Sequence, residues 1–221
     1  MEKSKEERQK RIAKILTTVF NSSRLYVEVK PYEVEMLMNA REIEKQRSKA
    51  IMEKVREVLV EANYECERKM LVGSSSKNGV ILSARVKSLV SAMYNLHATK
   101  NGEPQDLNDM LGLMIICEDD PTCYKIRELL LKAFKSEKYF IIKDKDLIAN
   151  PKPNGYQSIH LHVDNGENIV FEVQIKSFKM FAYSQTGDCS HDERYKARLN
   201  SNKLNEEESI IYDSLREVDW L

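Results

Sequence analysis

Apolar residues in the first part of the chain recur at helical spacing. Ile51, Val55, Val58, Leu59 and Ala62 lie three or four positions apart between Glu, Lys and Arg residues, which predicts an amphipathic helix with one face to bury. Residues 1–70 therefore read as a helical N-terminal extension. Its apolar stripe needs a partner, either the rest of the chain or another subunit. Pro31 marks a helix start, because inside a helix it would lose a donor and clash with the preceding turn.

The pattern changes at about residue 71. Residues 73–79 form a polar turn into strand-like Val80-Ile81-Leu82, residues 88–97 read as a helix, and Leu111–Cys117 is an apolar run short enough for a buried strand. A helix over about 122–134 follows. Residues 139–142, 157–163 and 169–175 then read as three more strands, and Gly166 in the short 164–168 connection predicts a hairpin between the last two. This mixture over residues 71–197 predicts one α/β (α+β) sheet domain flanked by helices. Residues 198–221 read as a C-terminal helix. Asn205 and Glu208 have the spacing of a capping box ahead of the apolar face Ile211, Leu215 and Val218.

Composition narrows the function classes. The 221 residues carry 35 basic and 35 acidic side chains, so no general cationic field points to nucleic acid or membrane. Cys66, Cys117, Cys123 and Cys189 match no usual zinc-finger or redox spacing and read as free thiols. The charged start has no signal-peptide core, and no run approaches the ~20 apolar residues of a membrane span. A soluble cytoplasmic protein is expected.

Candidate chemistry concentrates in residues 143–160. Lys143, Lys145 and Lys152, with Asp146, Asn154, Tyr156 and His160, surround a turn that leads into a strand. Lysines suit phosphate oxygens, an aromatic face suits a stacked base, and Gly155 permits a tight turn. A polar surface loop and a nucleotide-phosphate loop both fit that composition. A second cluster, Arg85, Lys87 and Ser91, lies where a strand meets a helix; a solvated strand edge is its plain alternative. Asp109 and Glu172 are carboxylates beside or within apolar strands, where burial is costly without a partner, so together they could hold Mg²⁺ or simply face solvent. His160 and His162 share a strand face, but two histidines without further ligands are weak evidence for zinc. His191 precedes Tyr195 and Lys196 at helical spacing, which suits phosphate contact or a structural hydrogen bond. There is no GxxxxGK[ST] loop.

Several of these segments, in this order, resemble the synthetase domain of the RelA/SpoT alarmone synthetases, in their small stand-alone branch. The resemblance runs from about residue 70 to 197. It is carried by Arg85-Val86-Lys87 with Ser91, Asp109-Met110-Leu111-Gly112-Leu113, Asn154-Gly155-Tyr156-Gln157-Ser158-Ile159-His160, Glu172-Val173-Gln174-Ile175-Lys176-Ser177, and His191 with Tyr195 and Lys196. It implies a nucleotidyltransferase-like mixed sheet flanked by helices, and transfer of the β,γ-pyrophosphate of ATP to the 3′-hydroxyl of GDP or GTP. It also implies that Asp109 binds Mg²⁺, with Glu172 assisting the metal and activating the ribose hydroxyl. Tyr156 would stack on the acceptor guanine, Lys152, Asn154 and His160 would hold that nucleotide, and Arg85, Lys87 and Ser91 would face the donor phosphates. Lys145 and Asp146 would belong to the active-site loop, and His191 and Lys196 would serve phosphate contact or structure. A homodimer or homotetramer is expected. Relatives in this class that act on the transfer RNA (tRNA) 3′ end or on adenosine nucleotides, and a silent nucleotide-binding regulator, are the competing readings.

Departures from the family pattern are also visible. Asn95 stands at a common lysine, Met114 at a common arginine and Leu147 at a common tyrosine, so donor binding would be altered or supplied partly by Arg68, Lys69 or Lys132. All four histidines lie beyond the first 90 residues, and that region is too short for the family's upstream metal-dependent hydrolase domain, so a member of the small, single-function branch is expected.

Overall fold

A computed structural model describes residues 2–67, 79–98, 110–166, 169–186, 201–217 and 219–220. The chain divides into two compact units, one formed by residues 1–45, 86–110 and 192–219, the other by 46–85, 111–191 and 220–221.

The first unit is helical. It contains α1 (Glu2–Ser22), the opening half of α2 (Pro31–Glu61), α3 (Leu89–Ala98) and α6 (Glu206–Arg216). Pro31 begins α2 as its fixed φ and missing N–H favour, and the Lys30 N–H donates to Glu33 Oε2 at 2.7 Å. Leu16, Val19, Phe20, Leu37, Met93 and Leu96 form its core with Tyr212 and Leu215 of α6. The predicted capping box is present: Asn205 Oδ1 accepts from the Glu208 N–H at 2.9 Å, and Glu208 Oε2 accepts from the Asn205 N–H at 3.2 Å.

The second unit is a mixed sheet with helices. Its strands are β1 (Glu65–Glu67), β2 (Gly79–Val86), β3 (Leu111–Cys117), β4 (Phe140–Asp146), β5 (Ile159–Asp164) and β6 (Val170–Ser177), in the spatial order β1-β2-β3-β6-β5-β4. The β1/β2 and β3/β6 pairs are parallel, whereas β4/β5 and β5/β6 are antiparallel. The predicted hairpin is therefore β5–β6. Helix α4 (Asp120–Ser136) supplies Phe134, whose ring meets Phe171 of β6 edge-on at 6.0 Å, and α5 (Phe178–Thr186) follows β6 directly. The second half of α2 belongs to this unit, and Ile51, Val55 and Leu59 are buried. The stripe that needed a partner is thus covered within the chain.

Two elements differ from the expectation. Glu65–Glu67, inside the segment read as helical, is a strand because Cys66 and its neighbours pair with Val80 and its neighbours, a non-local partner that local propensity does not reveal. Helix α6 ends at Arg216, and Asp219–Trp220 is a two-residue strand paired with β2.

Strand periodicity separates the core from the chemistry. On β5, Ile159, Leu161 and Val163 are buried, opposite Ile175, Val173 and Phe171 of β6. The alternate positions, His160 and His162, lie opposite Gln174 and Glu172 and share the other face with them. Asn205→Ala removes one cap acceptor and is expected to lower the unfolding free energy by about 1 kcal/mol. Urea denaturation of the two proteins checks this.

Candidate active site on the polar face of the sheet

Glu172 is the centre of that face. It is 8% exposed, and the groups around it engage both of its carboxylate oxygens. His160 Nδ1 donates to Oε1 at 2.6 Å, and Gln174 Nε2 donates to Oε2 at 2.6 Å. The Arg85 guanidinium lies 3.9 Å from Oε2, and His162 Nε2 lies 3.6 Å from Oε1. Burial opposes the charge on Glu172 most strongly. The hydrogen bond and charge of His160, the Gln174 amide and the Arg85 charge outweigh it, holding the carboxyl well below its ordinary value of 4.5. For His162 burial also dominates, and it lowers the imidazole below its ordinary value against the pull of Glu172.

Arg85 reaches Glu172 by crossing a strand. It leaves β2, passes over β3 at Gly112, and arrives at β6, where Gly112 and Glu172 are register partners. A Cβ at Gly112 would lie 3.3 Å from Arg85 Nε and 3.5 Å from its Cγ. The glycine is the channel for the arginine.

Tyr156 closes a ring of side chains. Its hydroxyl lies 3.0 Å from His160 Nε2 and 3.4 Å from Gln174 Oε1, so Glu172, His160, Tyr156 and Gln174 are linked in a circuit. The ammonium groups of Lys152 and Lys176 each lie 4.9 Å from the centre of the tyrosine ring, a favourable placement of cation on π face. Lys176 is only 5% exposed. Along β6, residues Glu172, Gln174 and Lys176 thus present an acid, an amide and an ammonium at successive positions of one face.

The loop that carries Tyr156 is built by its own backbone. The Gly155 N–H donates to the Lys152 carbonyl at 2.8 Å, and Gly155 has φ +77°, a left-handed conformation that suits glycine. A Cβ there would also meet Tyr183 Oη at 2.9 Å. Asn154 Oδ1 accepts from the Tyr156 N–H at 3.4 Å. Buried Ser158 donates to the Ile175 carbonyl at 3.1 Å and anchors the far side.

The remaining sequence candidates separate. Lys145 pairs with His160 across β4 and β5 and shares its face. Asp146 caps the next turn, accepting from the N–H groups of Ile148 and Ala149 at 3.0 and 2.9 Å and from the Tyr124 hydroxyl at 3.3 Å. Burial opposes its charge most, yet these donors and Arg127 hold its carboxyl below the ordinary value. Lys87 and Ser91 belong to the helical unit. There the Lys87 N–H donates to the Met110 carbonyl at 2.9 Å, and the Ser91 hydroxyl accepts from Ser88 at 2.9 Å at the start of α3. Asp109, His191 and Lys196 lie outside the described residues, as do Arg68 and Lys69.

Sequence reasoning missed Gln174 and Lys176, although their two-residue spacing from Glu172 was the available signal. It also missed a sulfur pair. Cys117 and Cys123, both buried, have their Sγ atoms 3.3 Å apart, and the contact with Cys117, followed by burial, pushes the Cys123 thiol up.

Comparison with known proteins now bears on this site. Residues 84–200, more than half of the chain, match the region found in RelA / SpoT proteins. The chain belongs to the RelA/SpoT family. It is 31% identical over 148 residues to a probable chloroplast GTP diphosphokinase, CRSH, of Arabidopsis thaliana, covering 60% of this chain and 24% of that protein. It is 30% identical over 145 residues to the guanosine-3′,5′-bis(diphosphate) 3′-pyrophosphohydrolase of Borreliella burgdorferi, covering 62% and 21%. The chain therefore spans about a quarter or less of these relatives. Small alarmone synthetase 2 of Bacillus subtilis superposes with a TM-score of 0.54 at 26% identity, covering 81% of this chain and 88% of that one. Small alarmone synthetase 1 of the same organism, bound to its product pppGpp, has a TM-score of 0.57 at 19% identity, covering 83% and 100%. The mixed sheet with flanking helices is the fold of this RelA/SpoT group.

Within this RelA/SpoT domain, Glu172 fits the oxygen chemistry of Mg²⁺. Its charge is retained, and Mg²⁺ sites use one or two carboxylates completed by phosphates and water. Glu172→Gln is expected to cost about 2 kcal/mol of unfolding free energy at neutral pH, since it removes a charged acceptor from two donors. The native carboxyl titrates below its unfolded value, so this difference is complete above about pH 4.5 and shrinks as the pH falls from there through the folded carboxyl's lower value. Denaturant unfolding of both proteins from neutral into acid pH checks it; a gap that widens in acid contradicts the assignment.

Proposed function

We propose that this chain transfers the β,γ-pyrophosphate of ATP to the ribose 3′-hydroxyl of GDP or GTP, forming guanosine tetra- or pentaphosphate and releasing AMP. The observation that carries this reading is the circuit of Glu172, His160, Tyr156 and Gln174, bordered by Arg85, Lys152, Lys176 and Lys145. It joins a fixed negative charge, an aromatic platform and several cations on one sheet face. Such a face suits two phosphorylated nucleotides and a hydroxyl.

In this reading the 3′-oxygen attacks the β-phosphorus of ATP, the bond from that phosphorus to the α-phosphate oxygen breaks, and AMP leaves with the electron pair. Catalysis is largely placement and charge compensation. Glu172 accepts the hydrogen bond of the 3′-hydroxyl and aligns it. Its lowered pKa makes it a weak base, better suited to orienting the hydroxyl and holding a cation than to retaining the proton, which passes to solvent. Bound Mg²⁺, held by Glu172 and Asp109, would supply neutralisation of phosphate charge. Tyr156 stacks on the guanine. The purine takes the place of an ammonium over the ring and turns Lys152 or Lys176 toward the phosphates. Arg85 faces the donor phosphates along the channel that Gly112 leaves. His160 holds Glu172 and Tyr156 in register, and Asn154 shapes the turn under Tyr156. By the family pattern Lys87 and Ser91 would serve the donor phosphates and His191 and Lys196 phosphate contact or structure, and a homo-oligomer is the proposed assembly.

Incubation with ATP labelled in the γ-phosphate, offering GDP, GTP, ATP and deacylated tRNA in separate reactions, tests the substrate. Labelled guanosine tetra- or pentaphosphate is expected. Labelled tRNA or a labelled adenosine product, with none on guanosine nucleotides, would overturn the reading. A second expectation concerns the channel: Gly112→Ala should leave folding intact, because an arginine can yield by a few tenths of an ångström, yet raise the KM for ATP by roughly tenfold through a misplaced guanidinium. Steady-state kinetics at varied ATP, beside a thermal unfolding curve, checks both halves.

A further inference from the structure

His162 has no part in the proposed reaction, yet it faces the same carboxylate. It is the direct cross-strand partner of Glu172, while His160, two residues earlier on β5, is the diagonal neighbour. One ligand atom from each of His160, His162 and Glu172 lies within 4.8 Å of the other two. Glu172 Oε1 is the common point, 2.6 Å from His160 Nδ1 and 3.6 Å from His162 Nε2. Ligands at ~2.0–2.2 Å around a tetrahedral ion stand roughly 3.4 Å apart. The His162 spacing is already of that size, and the His160 contact needs only to exchange its shared proton for an ion and widen.

The groups behind these ligands are also in place. Metal-bound histidines use their second nitrogen in a hydrogen bond that fixes the ring; His160 Nε2 is 3.0 Å from the Tyr156 hydroxyl. The second carboxylate oxygen is held by Gln174 at 2.6 Å. A set of two imidazoles and one carboxylate suits zinc, cobalt or other transition dications, whereas Mg²⁺ prefers an all-oxygen shell.

We propose that His160, His162 and Glu172 form a binding site for a transition-series dication, which shares the Glu172 carboxylate with the Mg²⁺ that the nucleotide reaction would use and differs from it by its two imidazole ligands. Three protein ligands leave at least one position open. Cations nearby decide what fills it. Arg85 stands 3.9 Å from Oε2, and Lys143 and Lys145 lie opposite His162 and His160 on the same face. Both lysines are exposed, so their ammonium ends can retreat into solvent. The remaining positive surroundings favour an anion, such as a phosphate oxygen, as the further ligand.

Cobalt(II) is the probe, because nitrogen and oxygen ligands in a low-symmetry site intensify its visible d–d bands. Titration of the full chain with Co²⁺ should give saturable bands that Zn²⁺ abolishes and excess Mg²⁺ leaves in place. His162→Gln should weaken binding by about 100-fold or more. His162→Cys keeps a ligand at the position, so it should retain tight binding and add a sulfur-to-cobalt charge-transfer band, which also guards against a variant that merely misfolds. Absence of the bands in the wild type, bands unchanged by His162→Gln, or displacement by Mg²⁺ as readily as by Zn²⁺ would overturn the site. These spectra are read without nucleotide turnover, so they decide the metal site separately from the synthetase reading.

Discussion

The polar face is organised around one nearly buried negative charge. A carboxylate as enclosed as Glu172 is stable only if its surroundings return what water would have supplied. Here the return comes from three strands: His160 from β5, Gln174 from β6 itself and Arg85 from β2. Each partner is in turn constrained. His160 is tied to Tyr156, Gln174 to the same hydroxyl, and Arg85 runs through the gap at Gly112. The need to satisfy one acid thus positions an imidazole, an aromatic ring and a guanidinium together.

That arrangement depends on the two-sidedness of the sheet. The β5–β6 hairpin buries Ile159, Leu161, Val163, Phe171, Val173 and Ile175 on one face and carries His160, His162, Glu172 and Gln174 on the other. A slip of one residue in register would exchange the two sets. The apolar packing of Phe134 on Phe171 therefore acts as a register lock for residues that it never touches. Stability and site geometry are coupled through the pleat.

The loop before β5 shows a second division of labour. Asp146, in the segment that the sequence marks for chemistry, has its carboxylate on the backbone of the turn it caps. Asn154 and Gly155 likewise shape the turn that presents Tyr156. Lys152 and Lys176 reach the tyrosine ring from opposite ends of the sequence segment, one from an exposed loop and one from a buried strand position. The tyrosine ring gives each ammonium a π face as partner.

Much of this was legible in the chain itself. Pro31, the Asn205–Glu208 capping box and the hairpin around Gly166 rest on local backbone chemistry, and local chemistry is written in a few adjacent residues. The ordered motifs through Arg85, Tyr156, His160 and Glu172 likewise identified the family. What the tertiary structure alone decided was which separated residues meet. Gly112 as the passage for Arg85, Lys176 over Tyr156, His162 facing Glu172, the Cys117–Cys123 contact and the pairing of Glu65–Glu67 with β2 all depend on strand order and register. Those are set by the burial of the whole sheet, and no window of neighbouring residues contains that information.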